Sequence, residues 1–392
     1  MRAGWHTRTL GEVLQKTETA NPQQSSEEEF DYIDVSSVSN VSFQIEATQR
    51  LKGKDAPSRA RKLVRANDVL FATIRPTLQR IAVVPEYLNG QVCSTGYFVL
   101  RPKPEIDHRF LFYWLFTEAF TGQMEYLQKG ASYPAVTDGD VKAQVIPVAP
   151  LPEQHRIVAI LDEAFDGIAT AKANAEQNLQ NARALFESHL QHVFTERGGG
   201  WEEKRLSEVC AITSSLVDPR KEEFRNLIHV GAANIESQTG MFVELKTARD
   251  EGLISGKFLF DDSMVLYSKI RPYLMKVARP NFSGLCSADM YPLAPLPNQI
   301  TRNYLFHLLL SKPFTDYAIQ GSARAGMPKV NREHLFEFRV FLPNVAKQSE
   351  LSAKLDALHE ATQRLESLYQ QKLAALDELK KSLLHRAFSG QL

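Results

Sequence analysis

The chain states its pattern twice, about 194 residues apart. Each copy opens on a tryptophan and a short amphipathic segment, "GWHTRTLGEV" from Gly4 and "GWEEKRLSEV" from Gly200. "DVLFATIRPTLQRIAVV" from Asp68 returns as "SMVLYSKIRPYLMKVAR" from Ser263, and "GQVCSTGYFVLRP" from Gly90 returns as "SGLCSADMYPLAP" from Ser283. Each copy ends in a helical run, "ESHLQHVFTERG" from Glu187 and "KKSLLHRAFSGQ" from Lys380. Solenoid units run to roughly 20–50 residues, so a period this long marks two copies of a whole domain. Two similar but non-identical halves have pseudo-twofold symmetry, and duplex DNA is the commonest partner with near-twofold symmetry of its own.

A chain of 392 residues holds two domains of ordinary size plus connecting structure, and its 43% hydrophobic content supports real cores. It has no run of ~18 apolar residues and no charged-then-apolar leader at "MRAGWHTRTL", so it is expected neither to span a membrane nor to be secreted. Cys93, Cys210 and Cys286 lack CxxC spacing and fit a reducing cytoplasm. Cys93 and Cys286 hold matching places in the two copies, each before a serine, and read as small packing residues. Net charge is formally zero, which argues against binding nucleic acid by bulk electrostatics. The distribution is less even. Arg50, Lys52, Lys54, Arg59, Arg61, Lys62, Arg65, Arg75 and Arg80 face only Asp55 and Asp68 in their own stretch, while acids gather at "SSEEEFD" and along the helical runs.

Between the openings and the helical runs both halves read as short strands. "FDYIDVSSV", "DVLFATI", "RIAVV" and "GYFVL" have the β-branched and aromatic density of strands, as do "LIHVGAANI", "MVLYSKI", "LMKVARP" and "EFRVFLP". Each half also holds an apolar helix, "DHRFLFYWLFTEAF" capped at Asp107 and "TRNYLFHLLLSKPF" capped at Thr301. Strands and helices without a βαβ rhythm predict an α+β class. The expected segments are a first domain over 1–150, a long helix over 151–197, a second domain over 198–345 and a second long helix over 346–392.

From Gln154 to Phe194 there is one glycine, Gly167, and no proline; from Gln348 to Phe388 there is neither. Leu351, Leu355, Leu358, Leu365, Tyr369, Leu376, Leu379 and Leu383 fall at steps of three and four apart from two polar gaps, and a shift of 194 gives Ile157, Leu161, Ala164, Ala171, Ala175, Ala182 and Leu185, with Ile168 on the same rhythm. Runs of ~40 residues would extend roughly 60 Å, longer than either domain needs. The simplest arrangement pairs them antiparallel as a coiled coil that holds the two domains apart. The seam set, which would also bind partners, is Ile157, Leu161, Ile168, Leu185, Leu355, Leu358, Leu365, Leu376, Leu379 and Leu383.

Enzymatic motifs do not appear. An amino-methyltransferase needs a Gly-rich loop and an Asn/Asp-Pro-Pro-aromatic string, and the nearest is Asn21-Pro22-Gln23. "EEK" at Glu202 to Lys204 lacks the upstream acidic partner of a nuclease, and no GxxxxGK[ST], GxGxxG or GxSxG occurs. His189 and His192 lie one turn apart without a third ligand, so no metal site is expected. Two loops per half look placed for contact instead. Arg75-Pro76 and Arg271-Pro272 turn the chain after matching strands and leave an Arg fork suited to phosphate or to guanine O6 and N7. "KGASYPAVT" from Lys129 and "QGSARAGMPKVN" from Gln320 offer Ser132, Tyr133, Arg324 and Lys329 on adaptable loops. The candidate DNA-binding set is Lys52, Lys54, Arg59, Arg61, Lys62, Arg75, Arg80, Lys129, Ser132 and Tyr133, with Lys269, Arg271, Tyr273, Lys276, Arg324 and Lys329 in the second half. Because the loops recur while their tips differ, two related domains would read two different sequences.

These residues resemble the specificity subunits of type I restriction–modification systems along essentially the whole chain. The resemblance is carried by the openings at Trp5 and Trp201, the "DVL(F)…IRP" strand-turns, "VIPVAPLPEQHRIVAILD" from Val145 and the ending "LLHRAFSGQL" from Leu383. The second helix entry, "FLPNVAKQSELSAKLD", departs from the first, with Lys347 where the first has Glu153. The resemblance implies two target recognition domains, each reading half of a bipartite, asymmetric site on double-stranded DNA, with the helices fixing the spacer. It also implies two modification subunits that methylate adenine N6 with S-adenosylmethionine, and restriction subunits that use ATP and Mg. This chain itself would hold no cofactor and perform no catalysis. A free-standing two-domain DNA-binding regulator would share the loops but leave the heptad surface unexplained. A single-chain enzyme with an unrecognised active site is the third reading.

Overall fold

The computed structural model describes residues 4–196, 198–322 and 328–392. It forms two compact units, one of residues 1–176 with 371–392 and one of residues 177–370. The units cut across the four expected segments because each long helix, Leu151–Thr195 and Val345–Phe388, gives one part to each unit.

In the first unit a four-stranded sheet runs Gln49–Lys52, Glu29–Ile33, Val92–Ser94, Ala60–Leu63, with the two central strands parallel. A three-stranded antiparallel sheet runs Ile81–Val83, Val69–Ala72, Tyr97–Leu100. The uninterrupted apolar letters of Val69–Ala72 follow from burial on both faces. Successive side chains of a strand point to opposite sides, so Val69 and Phe71 enter a core shared with the helices, and Leu70 and Ala72 enter one shared with Ile33, Cys93 and Tyr97. The second unit repeats the plan. Val265 and Tyr267 face the helices, and Leu266 faces the core of Val230 and Cys286. Its sheets run Leu216–Val217, Lys257–Phe260, Gly284–Cys286, Ile228–Val230, Lys246–Thr247 and, separately, Cys210–Ala211, Met290–Pro295, Val265–Ser268, Val277–Ala278. Burial pushes the thiols of Cys93, Cys210 and Cys286 up to about 12, so all three are packing residues.

Each apolar helix expected as one piece is two. His108–Trp114 stops before Thr117, which has extended backbone and caps Glu118–Leu127; Arg302–Leu310 stops at Ser311, and Lys312–Gln320 follows with Pro313 in its first turn. The expected caps form. The Asp107 carboxylate accepts from the N–H groups of Arg109 and Phe110, and the Thr301 hydroxyl accepts from Tyr304 N–H.

The long helices are fastened by matching devices. Near the start of the first, Gln154 is fully buried; its Oε1 accepts from Asp107 N at 2.8 Å and its Nε2 donates to Glu105 O at 2.9 Å and Ala149 O at 2.8 Å. Gln348 does the same with Thr301 N, Gln299 O and Pro343 O, each at 2.9 Å. Two turns on, Asp162 accepts from Tyr113 and Arg109, and Asp356 accepts from His307 at 2.8 Å and from Arg279 at 2.8 and 3.1 Å.

Within each unit the helix segments run antiparallel. In the first, Leu384 and Ala387 share a core with Ile157 and Leu161, and Lys172 pairs with Asp377. In the second, Phe186 packs on His359 with ring centroids 4.7 Å apart and Arg183 pairs with Glu366 at 3.2 Å. The seam register differs from the apolar pattern. The inward positions of the second helix are Gln348, Ser352, Leu355, His359, Thr362, Glu366, Tyr369, Leu373, Leu376, Lys380, Leu383 and Ala387, steps of four and three throughout. Leu355 is buried, while Leu376 and Leu383 are half-buried. Leu358 packs on the core of its own domain, while Leu365 (42%) and Leu379 (46%) are exposed. In the first helix Ile157, Leu161 and Ile168 are buried as expected, but Leu185 is 59% exposed and its neighbour Phe186 takes the inward place. Gln348, His359, Glu366 and Lys380 hold seam positions because each has a partner there. Lys380 lies 5.0, 5.9 and 5.1 Å from the ring centroids of Phe43, Phe116 and Phe165.

Two expectations follow. Arg101 grips buried Asp68 with two 2.8 Å hydrogen bonds, and the second half has Met264 and Ala294 at these places. Arg101→Ala should therefore destabilise the first unit by about 3–5 kcal/mol, and adding Asp68→Met should restore most of that; urea denaturation of the three variants checks it. In the second unit, burial holds His307 and His359 below the ordinary histidine range. Burial pushes Asp356 up, but its hydrogen bonds from His307 and Arg279 overcome this and hold it well below the carboxylate range. The unfolded chain takes up protons from pH about 6.5 downwards that the folded histidines refuse, so stability is full above that pH and falls as pH drops toward 5. Hydrogen exchange of residues 302–310 at pH 7.5 and 5.5 should show the loss, and His307→Gln should reduce it.

Candidate nucleic-acid interface

Each half presents the same strained turn. Arg75 has φ +50° and ψ 58°, Pro76–Leu78 makes one 3₁₀ turn, and Gln79 is again left-handed at φ +51°. Arg271 has φ +50° and ψ 61°, followed by Pro272–Leu274 and Met275 at φ +45°. Left-handed backbone costs a residue with a Cβ about 1–2 kcal/mol, so something must hold it. The second loop does. Arg75 N donates to Pro134 O at 2.7 Å and Arg271 N to Pro328 O at 2.9 Å, while Val136 N donates to Thr73 O and Val330 N to Lys269 O. Isolated bridges Ile74 to Ala135 and Ile270 to Lys329 complete the match. The two loops of each half are thus one surface. Both prolines are buried and both arginines are exposed.

In the first unit Lys129 closes a tight hairpin against Ala135, with Gly130 at φ +104°, where an added Cβ would meet Tyr133 O at 2.9 Å. Ser132 and Lys129 are exposed, Tyr133 is 72% exposed, and the Arg75 guanidinium lies 5.0 Å from the Tyr133 ring centroid. Arg75, Lys129, Ser132 and Tyr133 therefore share one face. Arg80 does not: its guanidinium is taken up by the carbonyls of Val35 and Val38, as Lys276 is by Ala232 O at 2.6 Å. Both brace the turn from behind.

The basic stretch meets its acids in space. Lys52 and Lys54 both pair with Glu27 at 3.1 Å, and Arg50 reaches Glu29 and Asp31. Lys62 donates to Tyr97 O at 2.6 Å and pairs with Asp138 at 3.0 Å, Arg61 reaches Gln23, and Arg59 is exposed. The "SSEEEFD" acids thus fold onto the cations that looked unopposed in sequence. Exposed pairs of this kind are worth about 0–1 kcal/mol, so phosphate can replace the acid.

In the second unit Tyr273, Arg271 and Lys329 are exposed beside one another in the turn and its bridged loop, and Arg324 lies outside the described residues. Burial, with the like charge of Lys329, lowers Lys269 below the usual lysine range; Lys269 lies 5.3 Å from the Tyr291 ring centroid. One residue not singled out from sequence belongs here. Asp289 sits between Lys329 at 3.3 Å and Lys269 at 3.7 Å. Its only sequence signal is an acid where the first half has Gly96. Among the described residues no group of three His, Cys, Asp or Glu could hold a metal ion, and no helix is long and apolar enough to cross a membrane.

This chain belongs to the type I restriction modification DNA specificity domain family, whose model matches residues 2–181 and again 198–375. It is similar to the specificity subunit of the type I restriction enzyme EcoDI of Escherichia coli, 29% identical over 297 residues, which are 67% of this chain and 66% of that relative. The match therefore spans just under two thirds of that relative's length. Among solved structures, the HsdS subunit from Thermoanaerobacter tengcongensis is 28% identical with a TM-score of 0.69, covering 100% of this chain and 98% of that one. A chain from work on complex assembly and conformational transition of the type I R-M system is 28% identical with a TM-score of 0.84, covering 100% and 99%.

Proposed function

We propose that this chain is the non-catalytic DNA-recognition subunit of a type I restriction–modification complex, each domain reading one half of a bipartite, asymmetric site. The observation that carries the reading is the Arg-Pro turn. One strained backbone is built twice, bridged to the same second loop, and carries different side chains in each half. A fixed frame with variable tips is what two readers of different sequences need. The long helices set the spacer between half-sites and carry the modification subunits. Leu185, Leu365, Leu368 and Leu379 support this, since large apolar side chains exposed along both helices fit a surface completed by partners. S-adenosylmethionine, ATP and Mg belong to those partner subunits, and the complex works in the cytoplasm.

The assembled complex tests the reading. Arg271→Ala should weaken DNA binding by about 1–3 kcal/mol if the fork contacts a base, and should change selection in the second half-site alone. Arg75→Ala should act on the first half-site alone. Methylation of duplex libraries randomised in one half-site at a time reads both effects. Relaxation of both half-sites by either change would defeat the two-reader model.

A further inference from the structure

The two halves share one backbone frame at the reading face and differ on it at three touching places together. Lys269 N donates to Asp289 O at 3.0 Å as Thr73 N donates to Gly96 O at 2.9 Å. Lys329 bridges to Ile270 as Ala135 bridges to Ile74. Lys269, Asp289 and Lys329 therefore stand where the first half has Thr73, Gly96 and Ala135. Three small or neutral residues are exchanged for a cation, an anion and a cation on unchanged hydrogen bonding.

The members of this cluster are not equivalent. Lys269 is mostly buried, donates to Ala288 O and lies against Tyr291, so its ammonium is committed to the domain. Asp289 and Lys329 are both about half exposed, at 47% and 48%, and stand 3.3 Å apart beside the Arg271 turn. Together they present an acceptor next to a donor. In the major groove a G·C pair offers the complement, the cytosine N4 amine next to guanine O6, with guanine N7 a second acceptor for the same cation. An A·T pair also sets an amine beside an oxygen. There, however, the cation would meet only one acceptor, thymine O4, and the thymine methyl group beside it.

Resting on the DNA-reading function proposed above, we infer that Asp289 and Lys329 read one G·C base pair in the second half-site. Asp289 accepts from cytosine N4 and Lys329 donates to guanine O6 and N7. The first half has no such pair of side chains on its frame, so its half-site is read by other chemistry, centred on Arg75 and Tyr133.

The complex of the full chain with its modification subunits is given duplex libraries randomised in either half-site, and the methylated molecules are sequenced. The wild type should fix one G·C pair in the second half-site. Asp289→Gly and Lys329→Ala, the first half's own residues at these places, should each lower the preference at that pair by about tenfold or more, leaving the first half-site unchanged. If Asp289→Gly does not assemble, Asp289→Asn should lower the same preference. A second half-site without a fixed G·C pair overturns the assignment. So does an even loss of methylation across all sequences with preference intact, which marks phosphate contact instead. A wild-type complex with no bipartite preference at all defeats the proposed function itself, and this assignment with it.

Discussion

The buried carboxamide at the head of each long helix is the joint on which the molecule depends. Gln154 and Gln348 each satisfy one backbone donor and two backbone acceptors where an apolar helix and a strand end meet the long helix. Only a carboxamide supplies an acceptor and two donors on one planar group, so neither Glu nor Leu fits the place. Unpaired, each of those backbone groups would cost about 1–3 kcal/mol in a dry site. The joint fixes where the helix starts and which way it rotates. That rotation decides which residues of the helix face the core of the unit in which it starts.

The internal repeat separates what the fold needs from what it tolerates. The carboxamide joint, an aspartate two turns further along, the capped apolar helix and the left-handed Arg-Pro turn occur in both halves, the aspartate with different partners in each: Tyr113 and Arg109 in the first, His307 and Arg279 in the second. The buried Arg101–Asp68 pair occurs in one half, and the other manages with Met264 and Ala294. A buried ion pair is costly to break yet replaceable by apolar residues of suitable volume, so divergence there leaves the plan intact. The face around the Arg-Pro turn diverges too, with Thr73, Gly96 and Ala135 replaced by Lys269, Asp289 and Lys329, since the side chains that leave this frame do not hold it together.

Charge tells a related story. The chain has equal numbers of acidic and basic residues, and the local excess of cations between residues 50 and 80 is met by Glu18, Glu27, Glu29, Asp31 and Asp138 brought in from elsewhere. The first domain therefore has cations held by exchangeable partners, a state suited to selective binding more than to indiscriminate adhesion to DNA.

The sequence by itself determined the repeat, the α+β class, the helix caps at Asp107 and Thr301, the two long helices and the Arg-Pro turns. Each of these is written in local chemistry: periodicity, capping side chains, or a proline that presets φ. Only the tertiary structure decided the seam, the fate of the basic cluster and the place of Asp289. Leu365 and Leu379 follow the apolar rhythm yet face outward, while His359, Glu366 and Lys380 face inward beside Phe186, Arg183 and three phenylalanines. Whether a polar residue can be buried depends on a partner that lies far away in sequence, here up to hundreds of residues, and no local pattern records that partner.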